Sequence, residues 1–278
     1  MCVDVTPQYE AKQFALAAFH LKKTHRQTGW LARKRNFAVP ALQDVSLSIE
    51  RGRFMGLVGE SGCGKSTLAR CLACLDRPDE GQVWIDGSNL LTMNSRELRA
   101  SRRKVQLIFQ GSAAALNPMF SAAEIIAEPL AIMGRFTRQE RREHALALME
   151  SVGLSRQLAV RKPSELSGGQ RQRLAIARAL ALQPKLLILD ESMVGLDLPV
   201  QAQIVNLLLA LRKTLEISYL FISHDLRLAA YLSDDLTVMH DGRIVEQGLA
   251  RDVVTDPQHA QTRALLAAAA QLSPDGFS

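Results

Sequence analysis

The sequence contains no apolar run long enough to cross a bilayer. A membrane-spanning helix needs roughly 20 consecutive apolar residues, and no stretch of the 278-residue chain reaches that length. The N-terminus has no charged start followed by an apolar core, so no secretory signal is expected there. Hydrophobic residues make up 47% and charged residues 22% of the chain, which is typical of a soluble globular protein.

Cysteine and aromatic residues are also scarce. Of the four cysteines, Cys71 and Cys74 form a C-x-x-C pair, but no second pair or histidine pair follows at zinc spacing, so buried free thiols are expected. Aromatic residues account for 5% of the chain and do not interleave with its small basic clusters. Despite the net charge of +6, no base-stacking surface and no nucleic-acid partner are predicted.

Strand and helix patterns alternate along the chain. Strand patterns occur at 41–50, 54–58, 82–86, 105–109, 186–189, 219–223 and 236–240. Helical periodicity occurs at about 66–75, 122–133, 138–152, 170–182 and 200–215, and a short apolar helix is predicted at 264–270. This alternation predicts a largely parallel α/β core that is interrupted by an all-helical insertion.

A glycine-rich loop between a predicted strand and a predicted helix carries the first functional signal. The stretch GESGCGKST fits the phosphate-loop pattern G-x-x-x-x-G-K-[ST]. Its glycines let backbone N–H groups point at phosphate oxygens, Lys65 is expected to reach the β and γ phosphates, and the Ser66 hydroxyl is expected to ligate Mg²⁺. The residues predicted to bind ATP here are Gly59, Glu60, Ser61, Gly62, Cys63, Gly64, Lys65, Ser66 and Thr67.

The run LLILDESMVGLD, at 186–197, ends a strand pattern in two adjacent carboxylates. A buried carboxylate costs free energy unless a cation or a donor meets it. A helix N-terminus would also accommodate acids, so the run alone leaves both interpretations open. The phosphate loop decides between them: Asp190 is predicted to join the magnesium shell, and Glu191 to orient or deprotonate the attacking water.

The stretch LSGGQRQR, at 166–173, is the signature sequence of the ATP-binding-cassette (ABC) family, which the chain resembles over nearly its full length. The resemblance implies that this segment begins a helix and contacts the γ-phosphate of ATP held by an opposite subunit. The residues concerned are Ser167, Gly168, Gly169 and Gln170. A serine-glycine helix cap would explain one of these residues but not the whole segment.

Other positions match the family's motifs in order. Gln110 resembles the Q-loop glutamine, which implies contact with Mg²⁺ and a link to the helical insertion, and 195–197 resembles the D-loop. His224 in FISHD resembles the switch histidine, which would hold the γ-phosphate and the attacking water. The resemblance therefore implies a catalytic set of Lys65, Glu191 and His224.

The sequence departs from the family in two places. Ser192 and Val194 stand where the family usually has proline and serine, so communication with the partner subunit could be weaker. His25 occupies the place of the aromatic residue that stacks on adenine, with Trp30 nearby. His25 is accordingly the predicted adenine contact, although an imidazole stacks less strongly than a tyrosine.

The implied fold is a P-loop NTPase α/β core with a mixed, largely parallel sheet, an N-terminal antiparallel β part and an inserted α-helical subdomain. One nucleotide-binding domain is expected over 1–278. Its predicted parts are an ATP-binding core at 14–110 and 183–250, a helical subdomain at 111–182, and a C-terminal helix and tail at 251–278.

Two further segments are similar to the peptide and nickel importer branch of the family. They are 109–130 and the ending 256–266, where Ala260 and Gln261 replace the usual Pro-Tyr. The resemblance implies an ATP-hydrolysing importer subunit for peptides, nickel or a metal chelate, at the cytoplasmic face of the inner membrane. Its implied partners are a second and different ABC ATPase chain, two membrane permeases and, indirectly, an extracytoplasmic solute-binding protein.

Two other functions stay open from the sequence. The altered D-loop motivates a nucleotide-gated regulatory subunit with little hydrolysis of its own, although Glu191, Gln110 and His224 are all present. A soluble ABC ATPase of DNA repair or translation is the other alternative. Such proteins generally carry two cassettes or a long coiled-coil insertion, and the sequence shows neither.

Overall fold

The computed structural model describes residues 13–26, 38–109, 111, 114–134 and 136–271. The chain divides into two compact units. The first comprises Met1–Arg102 together with Ser218–Ser278, and the second comprises Arg103–Ile217. Within the described ranges, no helix combines the length and the apolar character that crossing a bilayer requires.

The elements are named here in chain order. The strands are β1 Phe14–Arg26, β2 Ala38–Glu50, β3 Phe54–Val58, β4 Glu80–Ile85, β5 Ser88–Asn89, β6 Val105–Ile108, β7 Leu186–Asp190, β8 Ser218–Ser223, β9 Asp235–His240 and β10 Arg243–Leu249. The α-helices are α1 Lys65–Leu72, α2 Ser95–Ser101, α3 Ala122–Met133, α4 Arg138–Ser151, α5 Gly168–Leu180, α6 Leu198–Leu215, α7 Leu226–Leu232, α8 Ala250–Thr255 and α9 Ala260–Gln271.

The first unit contains an antiparallel sheet and a mixed set of strands. The antiparallel sheet has the order β2-β1-β4-β5. In the mixed set, β3 pairs in parallel with β8 on one side and β9 on the other, and β10 pairs antiparallel with β9. Every residue of β3 and β8 is buried. Strands of a parallel sheet are covered on both faces, which is why their sequences are largely continuous apolar runs.

The second unit contains four long helices and the parallel strand pair β6 and β7. Three of its helices begin with a capping box, in which the N-cap side chain and the side chain three residues on satisfy each other's backbone N–H groups. The pairs are Ser121 with Glu124, Thr137 with Glu140, and Ser167 with Gln170. These local S/T-x-x-E/Q patterns explain why α3, α4 and α5 begin where they do.

The predicted mixed, largely parallel α/β fold is confirmed, and so are the strands predicted in it. The predicted range 122–133 coincides with α3. The helix predicted at 66–75 is shorter, because α1 ends at Leu72 and Cys74 then turns the chain with a positive φ of 50°. The helix predicted at 264–270 begins four residues earlier, at Ala260.

Candidate functional site: a nucleotide cradle

The glycine-rich loop joins β3 to α1 and surrounds the Lys65 amino group. Lys65 is only 4% exposed. Burying an ammonium group costs free energy unless its N–H groups donate hydrogen bonds. Its Nζ donates to the backbone oxygens of Gly59 and Glu60, each at 2.8 Å. The loop's own carbonyl oxygens therefore accept the hydrogen bonds of the lysine, and phosphate oxygens could replace them.

Glycine is required at the position of the loop that directly precedes α1. Gly64 precedes α1 with φ 108° and ψ 0°, a conformation that residues with a Cβ rarely adopt. A Cβ at Gly64 would lie 2.4 Å from the Ala41 backbone oxygen. No side chain caps α1, and the first-turn N–H groups of any helix lack intrahelical acceptors. This helix start thus offers backbone donors and a positive dipole end to an anion.

His224 emerges at the same edge of the first unit as the phosphate loop. The last residue of β3, Val58, is level with Ser223, the last residue of β8. Because these strands are parallel, Gly59 and His224 both follow strands that end at one edge. His224 is exposed, and Asp225 next to it caps α7 by accepting from the Leu228 N–H at 3.1 Å.

His25 lies beside the first turn of α1. Its Nε2 is 3.2 Å from the Thr67 hydroxyl oxygen, and its ring is exposed. The first unit therefore brings the predicted adenine contact to the predicted phosphate site. Trp30, the second aromatic candidate, lies outside the described residues.

The two predicted carboxylates follow one another at the end of β7 in the second unit. Asp190 is the last residue of this fully buried strand and is itself 5% exposed. Glu191 is half-buried and has a positive φ of 46°, which is uncommon for a residue other than glycine and is frequent at functional sites. The side-chain oxygen of Ser192 is buried, and no hydrogen bond satisfies it within the described part of the chain.

The D-loop keeps an ordered turn despite its altered sequence. Asp197 caps α6 by accepting from the Val200 N–H at 2.9 Å. The Gln201 amide nitrogen donates to the backbone oxygens of Met193, at 3.3 Å, and Leu196, at 3.1 Å. Side chains from the first turn of α6 therefore hold the turn in place.

The signature segment begins α5, and its serine is a helix cap. The Ser167 hydroxyl accepts from the Gln170 N–H at 3.2 Å, and the Gln170 side-chain oxygen accepts from the Ser167 N–H at 2.9 Å. A Cβ at Gly169 would lie 2.8 Å from Cγ1 of Val200. The capping interpretation therefore explains Ser167, and close packing on α6 explains Gly169. Gln110, the predicted Q-loop residue, lies outside the described residues.

The comparisons with known proteins agree with this geometry. The protein-family model described as ABC transporter matches residues 42–194, more than half of the chain. This chain belongs to the ABC transporter family. It is an ATPase that binds ATP and couples its hydrolysis to transport, working with other subunits of a transporter.

Curated relatives and solved structures of the family are similar over most of the chain. The dipeptide transport ATP-binding protein DppF of Haemophilus influenzae is 44% identical over 85% of this chain and 72% of its own length. DppF of Escherichia coli is 41% identical over 97% of this chain and 80% of its own. The dimeric cassette MJ0796 bound to ADP and Pi is 32% identical, with a TM-score of 0.74 over 85% of this chain and 99% of its own.

The three cysteines in the described part of the chain are buried. Burial raises the pKa of Cys71 to about 12 and that of Cys74 to about 11. Burial also raises the pKa of Cys63 in the phosphate loop, and Lys65 opposes that rise. These three are free cysteines, and their high pKa values favour the neutral and unreactive thiol.

One contact to the phosphate loop was not indicated by any sequence motif. The Gln261 side chain, in the first turn of α9, donates from Nε2 to Oε1 of Glu60 at 2.7 Å. The two residues are 201 positions apart, and neither matches a local pattern that would pair them. The only signal in the sequence is that Gln261 replaces the tyrosine usual in the importer branch.

Proposed function

We propose that the chain energises the uptake of peptides as an ATP-hydrolysing subunit of an importer. Relatives from Haemophilus influenzae and Escherichia coli are named dipeptide transport ATP-binding proteins. These names support peptides over the other cargoes that the sequence left open, nickel and metal chelates. The observation that carries the nucleotide part is the buried Lys65 amino group, held at 2.8 Å by two carbonyls of a glycine loop at a helix start.

In this proposal Lys65 exchanges the carbonyls of Gly59 and Glu60 for the β and γ phosphates of ATP. The exchange costs little, because the lysine is already desolvated and one set of oxygen acceptors replaces another. The rest of the loop, Gly59–Thr67, supplies backbone N–H groups to the same phosphates. His25 supplies the adenine contact.

Mg²⁺ fits the donor chemistry of the residues proposed to bind it. Ser66 offers a hydroxyl oxygen and Asp190 a carboxylate oxygen, which are hard ligands of the kind Mg²⁺ prefers. Within the described ranges, no group of three or more histidine, cysteine or acidic side chains is arranged to hold a metal. Mg²⁺ needs none, since substrate phosphates and water complete its shell. Gln110 is the third proposed ligand. When bound, Mg²⁺ would neutralise charge on the phosphates.

Hydrolysis in this proposal depends on Glu191 and His224. Glu191 accepts the proton of the attacking water, and His224 holds the water and the γ-phosphate. The signature residues 167–170 contact the ATP that a second cassette holds, through the backbone N–H groups at the start of α5. This second cassette is proposed to be a different chain.

Two substitutions test these roles in the purified chain. Lys65→Met should abolish ATP binding measured by calorimetry, whereas Lys185→Met, at an exposed lysine, should bind as wild type does. Glu191→Gln should bind ATP but lose nearly all turnover once assembled with its partner cassette. Glu216→Gln is its matched control, because Glu216 is exposed and has a similar φ of 50°. Full turnover in Glu191→Gln would remove the proposed base.

The second unit carries a groove suited to a permease subunit. It has a volume of about 620 Å³ and is lined by residues of α3 and α4 and by the segment at 159–160. Its apolar side chains include Ile132, 64% exposed, and Val160, 70% exposed. We propose that a cytoplasmic helix of a permease packs here. The transporter would then sit at the cytoplasmic face of the inner membrane, with a solute-binding protein outside.

Ile132→Lys tests the groove without touching the nucleotide cradle. The variant should keep the ATP affinity of the isolated chain but fail to co-purify with the permeases. Leu215→Lys, at a half-exposed leucine that does not line the groove, should co-purify normally. For the cargo, uptake of labelled dipeptide and of Ni²⁺ is compared in cells with and without the intact chain; loss of nickel uptake alone would refute the peptide assignment.

A further inference from the structure

Helix α9 contacts the phosphate loop through a defined hydrogen bond. Nε2 of Gln261, in the first turn of α9, lies 2.7 Å from Oε1 of Glu60, the second residue of the loop. Both residues belong to the first unit. The contact places a neutral donor beside the one acidic side chain of the loop.

A charged anchor on β10 fixes the start of α9. The Glu246 carboxylate accepts from the backbone N–H groups of Gln258, at 2.8 Å, and His259, at 3.0 Å, and also from the Thr262 hydroxyl. Thr262 is fully buried. Burial alone would raise the pKa of Glu246, but these hydrogen bonds hold it below its usual value. The position of Gln261 is therefore set by an ionised anchor and not by a loose helix end.

Glu60 is tied to the phosphate-binding lysine through its backbone. The Glu60 carbonyl accepts from Lys65 Nζ at 2.8 Å, while its carboxylate accepts from Gln261. Burial is the main cause of the raised pKa of Cys63, and the charge of Glu60 adds to it. The field of the carboxylate thus reaches the inside of the loop, where phosphates are proposed to bind.

We propose that Gln261 is a positioning residue for ATP binding: it holds the Glu60 carboxylate on the α9 side of the loop and away from the phosphates. The carboxylate and ATP carry charge of the same sign, so a Glu60 side chain free to turn inward would repel the nucleotide. This inference rests on the proposed role of the loop in binding ATP. It adds the C-terminal segment to the nucleotide site.

Gln261→Met tests the contact, because methionine keeps the length of the side chain and removes the donor. The affinity for ATP should fall by about tenfold or more, the effect of one hydrogen bond to a charged group. In the assembled enzyme the KM for ATP should rise by the same factor with kcat unchanged. Gln258→Met is the matched control, since the Gln258 side chain donates to the Asp256 carbonyl and not to the loop.

The charge mechanism is separated from a packing effect by a second substitution. In a Glu60→Gln background, Gln261→Met should change ATP affinity no further, because no carboxylate remains to be held. In the Glu60-containing protein the effect should shrink as salt rises from low to physiological strength. Gln261→Glu, which adds a second carboxylate, should weaken binding more than Gln261→Met does.

An unchanged affinity in Gln261→Met, or an equal loss in the Glu60→Gln background, would overturn the inference. Either result leaves the proposed function intact as long as wild type binds ATP and Lys65→Met does not. Failure of wild type to bind ATP would instead refute the proposed function. Thermal unfolding of each variant verifies that the compared proteins are folded.

Discussion

Two glycines of the phosphate loop provide a sharp test of its geometry, because only one of them is sterically enclosed. Gly62 and Gly64 both have positive φ, 83° and 108°. A Cβ at Gly62 would meet nothing within 4 Å, whereas a Cβ at Gly64 would lie 2.4 Å from the Ala41 oxygen and 2.9 Å from the Met239 Cε. Alanine at either site is strained, but only alanine at Gly64 must also displace backbone.

The expected free-energy losses follow from these contacts. An alanine at Gly62 costs the left-handed strain alone, about 1–2 kcal/mol. At Gly64 the same strain is joined by an overpacking cost of about 1–3 kcal/mol, because the nearest atom is a main-chain oxygen that cannot rotate away. Gly64→Ala should therefore unfold at a clearly lower urea concentration than Gly62→Ala, with an unchanged slope.

Urea unfolding followed by circular dichroism measures the difference directly. ATP binding is measured on the same samples, and both variants should bind more weakly than wild type because both glycines shape the loop. Equal unfolding midpoints for Gly62→Ala and Gly64→Ala would refute the enclosed geometry described for Gly64, whatever happens to ATP binding.

Three further predictions follow from the described side chains. Ser192→Ala should raise the free energy of unfolding by about 1 kcal/mol, because it removes a buried hydroxyl without a hydrogen bond; a lower melting temperature would contradict this. The pKa values of Cys71 and Cys74 rise from an ordinary 9.0 to about 12 and about 11, so the stability they contribute is complete below pH 9 and is lost as pH rises towards those values. Cys71→Ala should flatten that decline in melting temperature between pH 9 and 11, and an unchanged profile would count against it. His25→Tyr should tighten binding of ATP but not of inorganic triphosphate, measured by calorimetry; equal tightening of both would exclude adenine stacking.

The parts of the site that lie in local sequence patterns could be predicted from the sequence. The phosphate loop needs a buried strand, glycines and a lysine at fixed spacing, and all of these are contiguous between 54 and 72. The carboxylates end an uninterrupted apolar strand for the same reason. Such segments are specified by the chain's own periodicity and turn chemistry, so their secondary structure matches the prediction closely.

The bounds of two strands, β1 and β10, were not predicted, because only their distant partners specify them. β1 contains three alanines and a run of basic residues, and it is a strand because it pairs with β2 on one side and β4 on the other. β10 is extended because it pairs with β9, and its residues show little burial pattern. The contact of Gln261 with Glu60 joins residues 201 positions apart. No local period encodes such pairings.

The family's motifs identify two helix starts, at α1 and α5. They differ in whether a protein side chain already caps their backbone N–H groups. The start of α1 has no side-chain cap, and the first-turn N–H groups of a helix have no intrahelical acceptors. The start of α5 is already capped, because the Ser167 hydroxyl accepts from the Gln170 N–H and Gln170 accepts in return. A phosphate at the start of α1 therefore displaces no side-chain cap, and Lys65 exchanges only its two loop carbonyls. At α5 it must either use the N–H groups of Gly168 and Gly169 or disturb the cap. Under the proposed function, these hydrogen bonds favour binding of ATP to the phosphate loop first and engagement of the signature second.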